Sequence, residues 1–273
     1  MEINLTNLFE LFEFPFLQRA LIGGILMGFM GGLLGSFTIL RQLSFFSDTL
    51  GHSALLGITI GFLLGLNPSV VLLPFAVLFA IAINYLLEHT KLWTDALLNI
   101  IYSSSLAIAI IILSFTDRYK GGVDDLLFGD ILGVQNTDLI ISGILAVICL
   151  IFITLTFRIQ MMITLNENMA IARGISVAWH RSAFVVLLSL VVGVSIKAIG
   201  VLLVSAFVVI PACAARLLSK NFSSHLIFSA SLGAFSAILG IIFSAMFNLP
   251  SGPSIVVMQL MIFLISIMIS KLK

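Results

Sequence analysis

The chain has 273 residues, of which 60% are Ala, Val, Ile, Leu, Met, Phe, Trp, Tyr or Cys; 9% are charged, and the formal net charge is +1. Soluble domains carry about 25% charged residues, so this composition excludes an ordinary soluble enzyme and a disordered chain. The basic residues are scattered, which also excludes a nucleic-acid binder that tracks phosphates, and the bilayer is the solvent that fits.

Residues 1–18 carry Glu2, Glu10 and Glu13 and no Lys or Arg. A cleavable signal needs a basic start, so the first apolar segment reads as a retained span. A spanning helix needs about 20 mostly apolar residues. Segments 20–40, 46–66, 69–88, 95–115, 138–157, 180–196, 198–218, 225–247 and 252–270 meet that need. The fold expected is therefore all-α: a polytopic membrane bundle of about nine helices, forming a single transmembrane domain over 1–273. If the pair flanking Lys197 is a span plus a half-helix, the count is eight. Cys149 and Cys213 lie in apolar runs and make neither a disulfide framework nor a Cys-rich metal cage.

Orientation follows from the Lys/Arg bias. With the C-terminus inside and nine crossings, the inner loops hold Arg41, Lys91, Arg158, Arg173, Arg181, Arg216, Lys220, Lys271 and Lys273. The outer side holds Arg19, Arg118, Lys120 and Lys197. The bias favours an N-terminus outside and a cytoplasmic C-terminus.

Two connections are long. The outer one, 116–137, carries Asp117, Asp124, Asp125 and Asp130, with a short surface helix expected at Leu126-Leu127-Phe128. The inner one, 159–180, contains a short helix expected from Asn166 onward and stopped by Gly174, a favoured C-terminal breaker.

Gly24, Gly28 and Gly32 recur every four residues, as do Gly57, Gly61 and Gly65. Such ladders let helices approach closely in lipid. Asp48 and His52 are spaced i, i+4 and project from one helical face, with Ser44 and Thr59 extending the stripe. An ionisable residue at membrane depth usually faces the bundle interior or an aqueous path. Carboxylate oxygen with imidazole nitrogen suits a divalent first-row ion such as zinc or manganese. Spacing alone leaves a second reading open, in which Asp48 caps its helix and His52 bonds a neighbouring backbone. Pro211 interrupts the ladder of segment 198–218 and reads as a pathway break, a hinge or a tolerated kink. Asn84 with Glu88, and Asp95 with Asn99, are further i, i+4 pairs that surface solvation explains.

No Gly-Lys dipeptide occurs, so there is no Walker A loop, and no two histidines are four apart, so there is no HExxH helix. ATP hydrolysis and intramembrane proteolysis both lose support.

The run Leu40-Arg41-Gln42-Leu43-Ser44-Phe45-Phe46-Ser47-Asp48-Thr49-Leu50-Gly51-His52-Ser53-Ala54 resembles the membrane subunits of bacterial zinc/manganese ABC importers. The resemblance continues in order through Leu127 to Gly133, Ala170 to Ile175, Ala198 to Val204, Val209-Ile210-Pro211-Ala212 and Leu249 to Pro253. The sequence departs from the family pattern at Gly51, where relatives usually have Ser, and at Asn99, where they often have Gly.

The resemblance implies a homodimeric permease of the type II ABC importer kind in the bacterial plasma (inner) membrane. Its implied partners are two cytoplasmic ATPase subunits and an extracytoplasmic metal-binding protein. No permanently bound cofactor is implied; zinc or manganese passes through. The family's metal-associated Asp and His carry over to Asp48 and His52. Glu167, Ala170, Arg173 and Gly174 become the ATPase contact, and Asp124, Asp125 and Asp130 the binding-protein contact. The chain itself is then not an enzyme. A stand-alone, ion-coupled secondary transporter is the rival reading; it lacks the cue of paired interrupted helices in an internal repeat.

Overall fold

The computed structural model describes residues 14–66, 68–90, 92–115, 129, 131, 133–201 and 203–272. Among them there is no strand. The helices are α1 (Pro15–Leu40), α2 (Phe46–Leu63), α3 (Pro68–His89), α4 (Thr94–Ser114), α5 (Asn136–Leu165), α6 (Glu167–Ala172), α7 (Val177–Ile199), α8 (Val204–Leu218), α9 (Phe222–Phe247) and α10 (Ser251–Lys271).

Seven of these are long and apolar enough to cross a membrane: α1, α3 over Val70–His89, α4, α5, α7, α9 and α10. The remaining two long helices fall outside for different reasons. Helix α2 spends its first two turns on Ser47, Asp48, Thr49, His52 and Ser53, which dilutes its apolar content. Helix α8 has 15 residues, or about 22 Å at 1.5 Å per residue, short of a hydrocarbon core of about 30 Å. Against the expected eight or nine crossings, seven helices among the described residues qualify on length and hydropathy. The expected boundary at Lys197 also moves. Helix α7 runs straight through that residue and stops at Gly200, whose φ of +89° suits only glycine without strain. Lys197 instead pairs with Asp138 of α5 at 2.9 Å.

Helix α1 is the hub, packing against α9, α8, α5 and α7. Its glycines explain how. A Cβ placed on Gly28 would lie 2.2 Å from the Gly233 carbonyl oxygen of α9, and one on Gly32 would lie 2.2 Å from that of Ser229. Ser229 Oγ donates to the Gly32 carbonyl at 2.5 Å, closing the seam with a polar contact. The second ladder is not a seam of this kind. Gly57 faces the Phe75 ring, and Gly65 lies beyond the end of α2 in open space.

Helix α8 continues through Pro211, which is buried. Proline cannot donate to the carbonyl four residues back, here Phe207. That oxygen abuts Gly31 of α1, where an added Cβ would lie 2.7 Å away.

One apolar core runs through the bundle. A small satellite of Ile163, Ala170 and Val177 fastens α6 to α5 and α7. Helix α6 opens on Asn166, whose Oδ1 accepts from Met169 N at 3.1 Å, a cap worth about 1 kcal/mol.

The first turns of α2, α4 and α7 and the ends of α1 and α5 meet at the α6 end of the bundle. Arg41, just past α1, ties that helix to α5 and α7. Its Nε donates to Thr164 Oγ1 at 2.9 Å, and its Nη2 donates to Gln160 Oε1 at 2.6 Å and to the Gln160 carbonyl at 3.0 Å.

Candidate metal pathway

Asp48 and His52 stand on the first two turns of α2, as their spacing predicts. His52 Nε2 lies 3.9 Å from Asp48 Oδ1, too long for a hydrogen bond. His52 is buried and its Nδ1 has no partner, while its ring meets the Tyr102 ring of α4 edge-on at 4.6 Å. The N-cap of α2 is Phe45, with no side-chain cap bond. Neither alternative reading of the pair therefore matches the geometry: Asp48 does not cap the helix, and no backbone bond is made by the imidazole.

Asp48 opens onto a cavity of about 850 Å³ between α2, α4 and α8, lined also by Ser44, Asp95, Asn99, Ser205, Val209 and Ile210. Its polar lining is wholly hydroxyl, carboxylate and carboxamide. Asp95 and Asn99 are exposed, as surface solvation predicts, and they line this open-sided cavity because α4 packs along α2. The sequence cue was their i, i+4 spacing, which matches that of Asp48 and His52. Asn84 departs from the same expectation. It is buried, and its Nδ2 donates to Ser182 Oγ at 2.8 Å and Glu88 Oε1 at 3.1 Å.

Among the described residues, no three His, Cys, Asp or Glu side chains are close enough to hold a metal ion. One chain therefore offers two donors, the Asp48 oxygen on the wall of an open-sided cavity and the His52 nitrogen one turn behind it. Two donors leave several coordination positions to water or to a second molecule, which suits passage better than storage.

The model match covers nearly all of this architecture: residues 13–270 fit the ABC 3 transport family. The chain belongs to that family. It is 32% identical over 260 residues to the manganese transport system membrane protein MntC of Listeria monocytogenes, covering 94% of this chain and 91% of the relative. It is 31% identical over 254 residues to the high-affinity zinc uptake system membrane protein ZnuB of Haemophilus influenzae, covering 93% and 97%. The solved structure of PsaBC from Streptococcus pneumoniae in complex with Fab superposes with a TM-score of 0.84 at 32% identity, covering 96% of this chain and 95% of that one.

The other expected contacts divide. Glu167 pairs with Arg181 of α7. Arg173 and Gly174 are exposed, and Gly174, at φ +74°, ends α6 as expected. Ala170 is fully buried and so seats α6 rather than offering it to a partner. What α6 does present is Met169 and Ile171, beside exposed Leu165 and Trp179. The sequence does not mark these large apolar groups, on α6 and at the adjoining ends of α5 and α7, because they look like the apolar residues around them. Pro211 is not part of the cavity wall, although its neighbours Val209 and Ile210 are. Asp124, Asp125 and Asp130 lie outside the described residues.

Proposed function

We propose that this family member is the permease subunit of a binding-protein-dependent importer of manganese or zinc in the bacterial plasma membrane. The reading rests above all on one observation: a carboxylate on the wall of an oxygen-lined cavity shares one face of α2 with a buried imidazole one turn deeper. An imidazole with an unpartnered nitrogen is costly in a membrane bundle unless something functional requires it. The names of the manganese and zinc relatives supply the class of cargo.

In this reading the whole chain, 1–273, is one transmembrane domain. It crosses eight or nine times, with α2 and α8 counted beside the seven apolar helices, and has its N-terminus outside and its C-terminus in the cytoplasm. ATP is hydrolysed by separate cytoplasmic subunits that dock on α6 and its exposed Met169 and Ile171, next to Glu167, Arg173 and Gly174. ATP-driven closure pushes α6, and Arg41 carries the movement to the start of α2, a rigid-body change of the alternating-access kind. Two copies of the chain pair across the open side of the cavity, bringing two Asp48/His52 pairs to one path. An extracytoplasmic binding protein delivers the ion to the opposite end, where Asp124, Asp125 and Asp130 are placed by sequence. The metal is cargo, held loosely by two donors per chain.

The test is manganese and zinc uptake by cells that depend on this importer, with Asp48→Ala or His52→Ala and the amount of permease checked. Each variant is expected to lower uptake at least ten-fold. Normal uptake by both would end the assignment.

A further inference from the structure

Helices α2 and α4 lie side by side and run in the same direction. Thr49 Oγ1 reaches the Leu98 carbonyl at 3.4 Å, the His52 and Tyr102 rings meet at 4.6 Å, and the Ser53 and Ser105 hydroxyls are 2.6 Å apart. A residue on α2 therefore sits level with one about 50 positions later on α4. Asn99 falls level with Asp48. Asp95 falls one turn further toward the α6 end, about 6 Å along the axis for four residues, level with the chain around Ser44 and Phe45.

The two i, i+4 pairs thus form a staggered ladder. His52 occupies the deep rung, nearly nine-tenths buried, with Nδ1 unpartnered and Nε2 facing Asp48. Asp48 and Asn99 occupy the next, and Asp95 the last, all but His52 on the wall of one cavity. Asp95 and Asn99 make no hydrogen bond to another described residue. Asp95 also stands too far from the Asp48/His52 pair for the three to hold one ion together.

We propose that Asp95 and Asn99 form a second station for the transported divalent cation, on the release side of the Asp48/His52 station and built only from oxygen donors. The chemistry of the two stations differs. The upper one mixes imidazole with carboxylate, which manganese and zinc both accept. The lower one offers carboxylate and carboxamide oxygen, which suit manganese better than zinc. The lower station therefore biases release toward manganese, and its carboxylate draws the ion from Asp48 by Coulomb attraction across the open-sided cavity.

This inference rests on the proposed function, and one experiment separates the two. Manganese and zinc uptake are measured side by side in cells carrying the complete importer with Asp95→Asn, Asp95→Glu, Asn99→Leu or Asp48→Ala. Asp95→Asn is expected to lower manganese uptake at least five-fold and zinc uptake less than two-fold, and Asp95→Glu to bring manganese back within two-fold of the parent. Asn99→Leu is expected to shift the manganese-to-zinc ratio the same way, and it decides the matter if Asp95→Asn does not accumulate. An unchanged ratio in every accumulating variant, or equal loss of both metals, overturns the second station. If Asp48→Ala abolishes uptake while Asp95→Asn leaves it unchanged, the second station falls and the proposed function stands. If Asp48→Ala transports normally, the upper station falls, and the metal ratio of the Asp95 variants still decides the lower one.

Discussion

Arg41→Met removes the guanidinium that joins α1, α5 and α7 while keeping much of the side chain's length. Burial, then the charge of Arg181, lower the Arg41 pKa to about 10, with Glu167 opposing them. The group stays protonated at neutral pH, so its bonds to Gln160 and Thr164 are charge-assisted. Gln160 is fully buried, and leaving it without that donor costs about 1–3 kcal/mol. The guanidinium also lies 4.6 Å from the Phe184 ring centroid, a contact worth about 0.5–2 kcal/mol. The expected loss is therefore about 2–4 kcal/mol, read by equilibrium unfolding of the purified chain in mixed micelles. Arg41→Lys keeps the charge but cannot fork between Gln160 and Thr164, so it is expected to lose roughly half as much. Because Arg41 precedes the cavity residue Ser44 by three positions, uptake is expected to fall with stability. If Arg41→Met unfolds within about 0.5 kcal/mol of the parent, the range for an ordinary surface change, the Arg41 tie between α1, α5 and α7 does not exist as described.

Two further outcomes are expected. Gly28→Ala forces a methyl group to within 2.2 Å of the Gly233 carbonyl and is expected to cost about 1–3 kcal/mol or more by overpacking. Gly143→Ala, with nothing within 4 Å, is expected to be neutral or slightly stabilising; equal unfolding curves for the two would refute the α1–α9 seam. Imidazole binds metal only when neutral, so manganese binding to the purified chain should weaken as pH falls through the histidine range, by up to about ten-fold per pH unit. A His52→Gln chain should lack that limb, and identical pH profiles for the parent and the variant would remove His52 from the ligand set.

Much of the fold was legible because lipid imposes a simple rule. Runs such as 225–247 and 252–270 must be helices, since a lipid-exposed backbone has no other way to satisfy its polar groups, and α9 and α10 follow them closely. The stop at Gly174 was legible for a local reason, a left-handed turn that glycine alone takes without strain. The boundary expected at Lys197 is absent because a charged residue is not punctuation here. The lysine finds Asp138 at the bundle surface, so the helix has no reason to end there, and the break waits for Gly200.

The site divides along the same line. Asp48 and His52 could be paired from sequence because their contact is within one helix, where the 3.6-residue period sets the geometry. Asp95 and Asn99 could not be joined to them, since no local rule says that α4 lies parallel to α2 at an offset of about 50 residues. That placement comes from packing: Thr49 on Leu98, His52 on Tyr102 and Ser53 on Ser105. Sequence alone thus determined the solvent, the helices and the one intrahelical pair, all consequences of composition and periodicity. Which residues share the cavity, and the burial of Ala170 beneath an exposed Met169 and Ile171, were decided only when the helices packed, because those neighbours are set by side-chain shape across distant parts of the chain.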